Sequence, residues 1–372
     1  MSVNTCQQVF FELVRAGLWE KEARLSQFNK IDYAAIMQLA EEQSVVGLIT
    51  AGLDKVVDVK VPQMEMLQFV GNTLLIEQQN KAMNDYVAWL IDYLRSNNLY
   101  AILVKGQGIA QCYERPLWRT SGDVDLLLND ENYEKAKKLL LPLALSVQQE
   151  FSSFKHQGMV MDGDFEVELH GTFHSRLSRR IDKTIDNVQN DIFKNGHVRS
   201  WTNGNTMAFL PAANCDVILV FTHILNHFFV GGIGMKQICD WCRLLWKYRQ
   251  KIDQNLLKQR LEKGGIMTEW KAFSAFAVEY LGMPKEAMPL YSPDMKWKRK
   301  ADKICSFIME VGNFGHKKRR DYSGMPYLLR KIKSAFNRFS GMLRHFSLFP
   351  KDSIVFFGGV LRSGLHAAVR GE

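Results

Sequence analysis

The sequence predicts an α+β fold in which a mixed core of strands and helices lies between two helical regions. Over most of residues 1–97, apolar residues recur every three or four positions, which is the period of amphipathic helices. Residues 98–210 contain short apolar runs and one strictly alternating segment, and both patterns are typical of strands. The helical period returns after Pro211, so helices and strands combine in the α+β manner.

These changes of pattern predict four regions along the chain. They are a helical N-terminal lobe (1–97), a core (98–210), a helical C-terminal lobe (211–312) and a basic amphipathic tail (313–372). The chain has 372 residues, of which 47% are hydrophobic, and this is enough for two or three compact units with buried cores.

The core opens with a predicted strand over residues 100–104, and a helix is expected to begin near Ile109. The turn between them consists of Lys105, Gly106, Gln107 and Gly108. Exposed backbone N–H groups, a helix dipole and the charge of Lys105 would favour a phosphate at this turn. A plain tight turn explains the two glycines almost as well.

Residues 119–128 predict a strand that carries Asp123 and Asp125 on one face, because residues i and i+2 of a strand point to the same side. Two neighbouring carboxylates repel each other, and aspartate is uncommon in strand interiors. A bound divalent cation would offset both costs, and Mg²⁺ prefers carboxylates together with waters and phosphates. A solvated strand end is the alternative interpretation.

Residues 164–170 alternate strictly between polar and apolar side chains, which predicts a half-exposed strand. One face has the apolar residues, and the other face has Glu166, Glu168 and His170. A third carboxylate can therefore join the aspartate pair. Alternation by itself does not distinguish Glu166 from Glu168.

A glycine-containing turn, an Asp-x-Asp strand and an acidic strand, in this order, resemble the nucleotidyltransferase superfamily typified by DNA polymerase beta. The resemblance is closer to a bacterial, uncharacterised nucleotidyltransferase-like family that is frequently encoded with surface-polysaccharide genes. The segments that carry it are Lys105-Gly106, residues 119–128 and Glu168-Leu-His170.

The resemblance implies an enzyme that uses Mg²⁺ or Mn²⁺ to move a nucleoside monophosphate from a nucleoside triphosphate onto a hydroxyl of a small molecule, sugar or protein. Asp123, Asp125 and Glu168 would hold two cations. Glu168 is chosen because the family pattern places the acid two positions before the histidine, and Glu166 is the reserve. A role in surface-polysaccharide metabolism is part of the same expectation.

The turn after the first strand departs from the superfamily, which usually has Gly-Ser or Gly-Gly where this chain has Lys105-Gly106-Gln107-Gly108. Lys105, Gln107 and the backbone could still bind a triphosphate, and Arg119 could either add a charge or be a surface arginine. Two other hypotheses therefore stay open: a catalytically inactive nucleotide-binding or scaffold protein, and a protein AMP-transferase.

The flanking helices extend the resemblance to about residues 30–250. His223 and His227 are spaced like zinc ligands on a helix, but a third ligand is missing from the motif, so a packed or pocket-lining pair is expected. Lys236 and Asp240 are candidates for the rim of the active cleft, and residues 231–236 predict a turn between helices.

Six cysteines without framework spacing are typical of a reducing compartment, and Cys239 and Cys242 are expected to be core residues on a helix. The N-terminus has no signal-peptide pattern, and no apolar segment is expected to be long enough to span a bilayer, so a cytoplasmic location is predicted.

The excess of positive charge, +9 overall, is concentrated in the tail, where residues 329–346 predict a basic amphipathic helix. This helix could lie on an anionic membrane surface at the inner face of the membrane, or pack on the protein or on an assembly partner. Nucleic acid is not expected as a partner, because the sequence lacks a reading motif. Residues 353–361 are expected to form a strand or a docking segment.

Overall fold

The computed structural model describes residues 4–150, 155–230, 232–312 and 345–359. In these residues a seven-stranded mixed sheet is flanked by helices, which confirms the predicted α+β class. The N-terminal helices are α1 (Thr5–Trp19), α2 (Tyr33–Glu42), α3 (Val46–Leu53) and α4 (Gln63–Ser96). The C-terminal helices are α8 (Ala213–Val230), α9 (Met235–Lys247), α10 (Gln254–Gly264), α11 (Met267–Glu279) and α12 (Met295–Val311).

The sheet and three further helices lie between these two groups along the chain. The strands are β1 (Ile102–Val104), β2 (Val124–Leu127), β3 (Ser146–Val147), β4 (His156–Met161), β5 (Phe165–His170), β6 (Val198–Asn203) and β7 (Thr206–Pro211). The helices are α5 (Gly106–Ala110), α6 (Asp130–Leu140) and α7 (Arg179–Phe193). The strand order is β3-β4-β5-β2-β1-β7-β6. Strands β2 and β5 are parallel, as are β1 and β7, and the other neighbours are antiparallel.

Strand alternation separates two apolar cores on the two faces of the sheet. Val124 and Leu126 of β2 pack with the second half of α4 and with α6. Leu127, which points the other way, packs in the core that joins the N-terminal and C-terminal helices. Asp125 has the same parity as Leu127, so it faces the C-terminal helices. The sheet therefore directs this carboxylate toward the side on which the candidate site lies.

Four expectations about individual elements are wrong. The strand expected over residues 119–128 is confined to Val124–Leu127, so Asp123 directly precedes it. Helix α5 begins at Gly106 rather than near Ile109, because the chain turns into the helix directly after Lys105. Residues 350–359 are helical, so the strand alternative for residues 353–361 is wrong. The apolar segments were expected to be too short to span a bilayer, but helix α8 is an 18-residue segment that is apolar enough to cross a membrane. In this protein it is a core helix, and 67% of it is buried.

Cys239 and Cys242 are buried, unpaired cysteines on α9, as predicted. Most of the basic tail, including the positions that define its amphipathic pattern between residues 329 and 344, lies outside the described residues. The division into four regions stays a prediction.

Candidate functional site

A cavity of about 580 Å³ lies between the sheet and helices α8 and α9. It is lined by most of the side chains that the sequence singled out. The sheet side contributes Lys105, Gly106, Arg119, Asp123, Asp125, Glu168 and His170, and the helical side contributes His223, His227, Lys236 and Asp240.

The three predicted carboxylates converge on the sheet wall of this cavity. Strands β2 and β5 run parallel in a register that places Asp125 opposite Glu168, and Asp123 directly precedes β2. One oxygen atom from each of Asp123, Asp125 and Glu168 lies within 4.8 Å of the other two. Three carboxylates at this separation have the chemistry and spacing of a divalent cation site.

Asp125 is the most deeply buried of the three, with 1% of its surface exposed. Its Oδ1 atom lies 2.8 Å from Lys105 Nζ and 2.8 Å from His170 Nε2. Its Oδ2 atom is buried and has no hydrogen-bond partner among the described residues. A buried carboxylate oxygen without a partner is costly, and a bound cation would satisfy it. The residues present therefore fit a divalent metal.

Electrostatic interactions within the cluster shift the pKa values of two of its carboxyl groups in opposite directions. The charge of Asp125, together with burial, raises the pKa of Asp123. Burial also acts to raise the pKa of Glu168, but hydrogen bonds from His156 and His170 hold that pKa well below its usual range. Within the cluster, the ionised form of Asp123 is thus disfavoured and the ionised form of Glu168 is favoured.

Lys105 is the counter-charge of this cluster. Burial disfavours its ammonium group, yet Asp125, Asp123 and Glu168 raise its pKa. Its backbone has φ = 55°, a left-handed conformation that is uncommon for a residue with a side chain. Gly106 follows, and a Cβ atom there would lie 3.3 Å from the carbonyl oxygen of Asp123. The turn is therefore folded tightly against the Asp-x-Asp segment, as the glycine permits.

Three candidate residues do not reach the cavity. The side-chain amide of Gln107 donates to Asn84 Oδ1 at 2.6 Å, and so faces helix α4. A Cβ atom on Gly108 would meet the side chain of Leu210 at 2.7 Å, so this glycine serves close packing. Glu166 is exposed and does not line the cavity, although it is on the same strand as Glu168.

Arg119 lines the cavity, but its guanidinium group is already bonded within the protein. Nε lies 2.7 Å from Asp240 Oδ1, and Nη2 lies 2.8 Å from Asp240 Oδ2. The hydroxyl of Tyr113 also donates to Asp240, at 2.7 Å. The Asn80 side chain donates to the carbonyl oxygen of Arg119 at 2.7 Å. Arg119 thus attaches the segment that leads to Asp123 to helices α4 and α9.

The helical wall of the cavity is formed largely by neutral or weakly basic groups. His223 and His227 lie with their Nε2 atoms 2.9 Å apart, and burial lowers the pKa of both, to about 4 for His227. In the described part of the chain, this pair belongs to no group of three metal-ligand side chains. Lys236 donates to the carbonyl oxygen of Thr120 at 3.4 Å, and burial and Arg119 lower its pKa to about 8.

Comparison with known sequences decides the family. A family model described as "Uncharacterised nucleotidyltransferase" matches residues 29–282, which is most of the chain. The chain belongs to this family. The predicted resemblance to an uncharacterised nucleotidyltransferase-like family is therefore confirmed, and nucleotidyl transfer is the class of activity that membership supports. No curated protein matches the sequence.

Solved structures show weaker similarity to this nucleotidyltransferase-family chain. An antigenic nucleotidyltransferase-like protein from Paracoccidioides brasiliensis has 14% identity and a TM-score of 0.31, over 48% of this chain and 85% of that chain. The Thermotoga maritima CCA-adding enzyme complexed with tRNA has 12% identity and a TM-score of 0.26, over 74% and 78%. A CCA-adding enzyme with ATP has 15% identity and a TM-score of 0.27, over 78% and 81%. Similarities at this level do not bear on the activity.

Several cavity residues of this nucleotidyltransferase-family chain were missed by sequence reasoning. His156 lies on β4 directly opposite His170, and its Nε2 atom is 3.2 Å from Glu168 Oε2. His174 and Arg176 follow β5 and line the cavity. A histidine at the start of an apolar strand is a visible signal for His156. Its place in the site, however, depends on the strand register, which the sequence pattern did not provide.

Proposed function

We propose that the protein uses Mg²⁺ or Mn²⁺ to transfer a nucleoside monophosphate from a nucleoside triphosphate onto a hydroxyl group of an acceptor. The observation that carries this proposal is the convergence of Asp123, Asp125 and Glu168 within 4.8 Å on the wall of a cavity, in a chain of the nucleotidyltransferase family. The unpartnered Oδ2 atom of Asp125 supports it further.

Asp123, Asp125 and Glu168 would hold the cations. When bound, such cations lower the pKa of an attacking hydroxyl and neutralise charge on the attacking and leaving oxygens. The protein's own contribution is placement. The parallel β2–β5 register fixes Asp125 opposite Glu168, and the Arg119–Asp240 bond fixes the segment that precedes Asp123.

Cationic side chains around the carboxylates would bind the triphosphate. Lys105 lies on the sheet wall and Lys236 on the helical wall, so the two can approach a phosphate chain from both sides. Lys105 Nζ now bonds Asp125 and can instead donate to a phosphate oxygen when the carboxylate has another partner. Arg119 is expected to position the site rather than bind phosphate, because Asp240 occupies its guanidinium group.

The cavity has room for a nucleotide-sized ligand, since small-molecule sites occupy roughly 300–1,000 Å³ and this one is about 580 Å³. The acceptor is proposed to be the hydroxyl of a small molecule, a sugar or a protein. A surface-polysaccharide acceptor follows from the family resemblance alone. An inactive scaffold and a protein AMP-transferase are the alternatives that the experiments below distinguish.

Calorimetric titration with each nucleoside triphosphate, with and without Mg²⁺, tests the proposal. The wild-type protein is compared with an Asp123→Asn, Asp125→Asn double variant and with Glu166→Gln as the matched control, because Glu166 is an exposed acid outside the cavity. We expect Mg²⁺-dependent binding of at least one nucleotide, weakened more than about a hundredfold in the double variant and unchanged in the control. Absence of binding to every nucleotide would favour the scaffold hypothesis.

Transfer from a nucleoside triphosphate labelled at the α-phosphate then identifies the class of acceptor. Label in a low-mass product indicates a small-molecule or sugar transferase. Label in one protein band indicates a protein-modifying enzyme. Transfer to neither class, in a protein that binds nucleotide, would contradict the transferase proposal and leave a nucleotide-binding protein.

A further inference from the structure

A second group of potential metal ligands adjoins the three carboxylates. In the antiparallel β4–β5 pair, His156 lies directly opposite His170, so both side chains are on one face of the sheet. Glu168 precedes His170 by two positions and is on the same face. One donor atom from each of His156, Glu168 and His170 lies within 4.8 Å of the other two.

The two imidazoles converge on the same carboxylate oxygen. His156 Nε2 lies 3.2 Å from Glu168 Oε2, and His170 Nε2 lies 3.4 Å from that same atom. The ring of Phe173 packs against the His170 ring, with the centroids 4.4 Å apart, and so restricts its orientation. Two ring nitrogens and one carboxylate oxygen therefore approach a common point.

Asp125, which belongs to the three-carboxylate group, also contacts this second group. Asp125 touches the group through His170 Nε2 at 2.8 Å, and it is 1% exposed. Its Oδ2 atom has no hydrogen-bond partner among the described residues. His170 Nε2 therefore joins the two groups, because it contacts both Asp125 and Glu168.

The donor types select among cations. Mg²⁺ takes oxygen ligands almost exclusively, whereas imidazole is a good ligand for Zn²⁺ and for first-row transition metals. Two histidines and one carboxylate form a known ligand set for catalytic zinc and for open transition-metal sites. The three-carboxylate group and the two-histidine group thus differ in chemistry although they share Glu168.

We propose that His156, Glu168 and His170 form a binding site for a divalent transition cation of the Zn²⁺, Co²⁺ or Mn²⁺ class, beside the three-carboxylate site. The inference rests on the proposed nucleotidyltransferase function and deepens it, because it adds a nitrogen-containing ligand set that shares Glu168 with the three-carboxylate site. Its test uses the cation alone, without nucleotide or acceptor.

Pulsed electron paramagnetic resonance of bound Mn²⁺ provides the decisive measurement, because a coordinated imidazole nitrogen couples to the metal and a carboxylate does not. We expect coupling to two imidazole nitrogens in the wild-type protein and to one in His156→Gln. Titration with Zn²⁺ should show an affinity about 10- to 100-fold lower in His156→Gln than in wild type. His156 is partly exposed, with 21% of its side chain accessible, so this substitution is suited to preserving the fold.

Two matched variants control for other histidines. His174→Gln removes a histidine that lines the same cavity but bonds Asp186 at 2.6 Å. His197→Gln removes an exposed histidine from a separate group formed with Asp191 and Cys215, which is the alternative place for Zn²⁺ to bind. Both variants should keep the nitrogen coupling of wild type.

The outcomes separate this inference from the proposed function. A Mn²⁺ spectrum without nitrogen coupling, or coupling that is the same in wild type and in His156→Gln, overturns the two-histidine site whether or not nucleotide binds. Loss of Zn²⁺ binding in His197→Gln alone assigns the metal to the other group and also overturns it. Nitrogen coupling in a protein that binds no nucleotide would support the site and contradict nucleotidyl transfer.

Discussion

Two buried ion pairs in this protein differ in how completely their carboxylate oxygens are hydrogen-bonded. In the pair between Arg119 and Asp240, both carboxylate oxygens accept hydrogen bonds from the guanidinium group, and Tyr113 adds a third. In the pair between Lys105 and Asp125, one oxygen accepts two contacts and the other has no partner in the described residues. The first pair is complete without a ligand, whereas the second retains capacity to bind one.

The difference shows how one short segment can be fixed firmly at one end and still offer carboxylates to a ligand at the other. Residues 119–125 are held at one end by a bidentate, fully bonded pair and present crowded carboxylates at the other. Crowded, partly satisfied acids are unfavourable in isolation, and they persist when surrounding structure fixes them. The satisfied pair is therefore expected to govern stability, and the unsatisfied pair to govern ligand binding.

The largest expected effect is a loss of stability when the ion pair between Arg119 and Asp240 is broken. Arg119→Met would leave the buried carboxylate of Asp240 without its counter-charge, and should lower the free energy of unfolding by about 3–5 kcal/mol. Chemical denaturation measures this value. The matched control is Arg24→Met, whose ion pair with Glu22 is largely exposed and should contribute only about 0–1 kcal/mol. Equal losses of stability in Arg119→Met and Arg24→Met would show that the buried pair contributes no more to stability than the exposed one.

A smaller effect, on nucleotide affinity, is expected at Lys236, which lines the cavity and contacts Thr120. Because its pKa is lowered to about 8, Lys236 is positively charged at pH 7 and largely neutral at pH 9. Affinity for a nucleoside triphosphate should therefore fall about tenfold between these values, which corresponds to the loss of one charge-assisted hydrogen bond. Calorimetry at both pH values measures the change.

Lys236→Arg is the control for that pH dependence. Arginine stays protonated throughout this range, so the variant should lose most of the decline in affinity. A decline that persists unchanged in Lys236→Arg would assign the titration to another group.

The smallest expected effect is a gain in stability from relieving the unsatisfied cluster. Asp125 raises the pKa of Asp123 above its unfolded value, so the charged Asp123 destabilises the fold at neutral pH. Without divalent cation, Asp123→Asn should increase the free energy of unfolding by about 1 kcal/mol at pH 7. The difference should shrink as the pH falls through the raised pKa, because wild-type Asp123 then becomes protonated.

Denaturation curves at several pH values, with Glu166→Gln as control, test this prediction. Glu166 is exposed, so its substitution should change stability by less than about 0.5 kcal/mol. Added Mg²⁺ should reverse the order of wild type and Asp123→Asn, because a ligand that binds the native state stabilises it. A destabilised Asp123→Asn in cation-free buffer would show that the carboxylate cluster is not under electrostatic strain.

Much of the candidate site could be predicted, since its signals are local. The alternation that leads to Glu168 depends only on strand geometry, and Asp125 lies on the predicted strand, whereas Asp123 directly precedes it. Gln107 is a residue for which such reasoning gave a wrong prediction. It follows Gly106 in the predicted phosphate turn, yet its side chain bonds Asn84 of α4 because α5 begins one residue before it.

Hydrophobic period and short motifs are properties of neighbouring residues, so the sequence was enough to predict the α+β class and the family to which the chain belongs. Which charged groups meet could not be predicted in this way. The pairing of Arg119 with Asp240 and of His156 with Glu168 depends on strand register and helix packing between distant segments. These long-range contacts separate the acid that stabilises the fold from the acids that are available to a ligand.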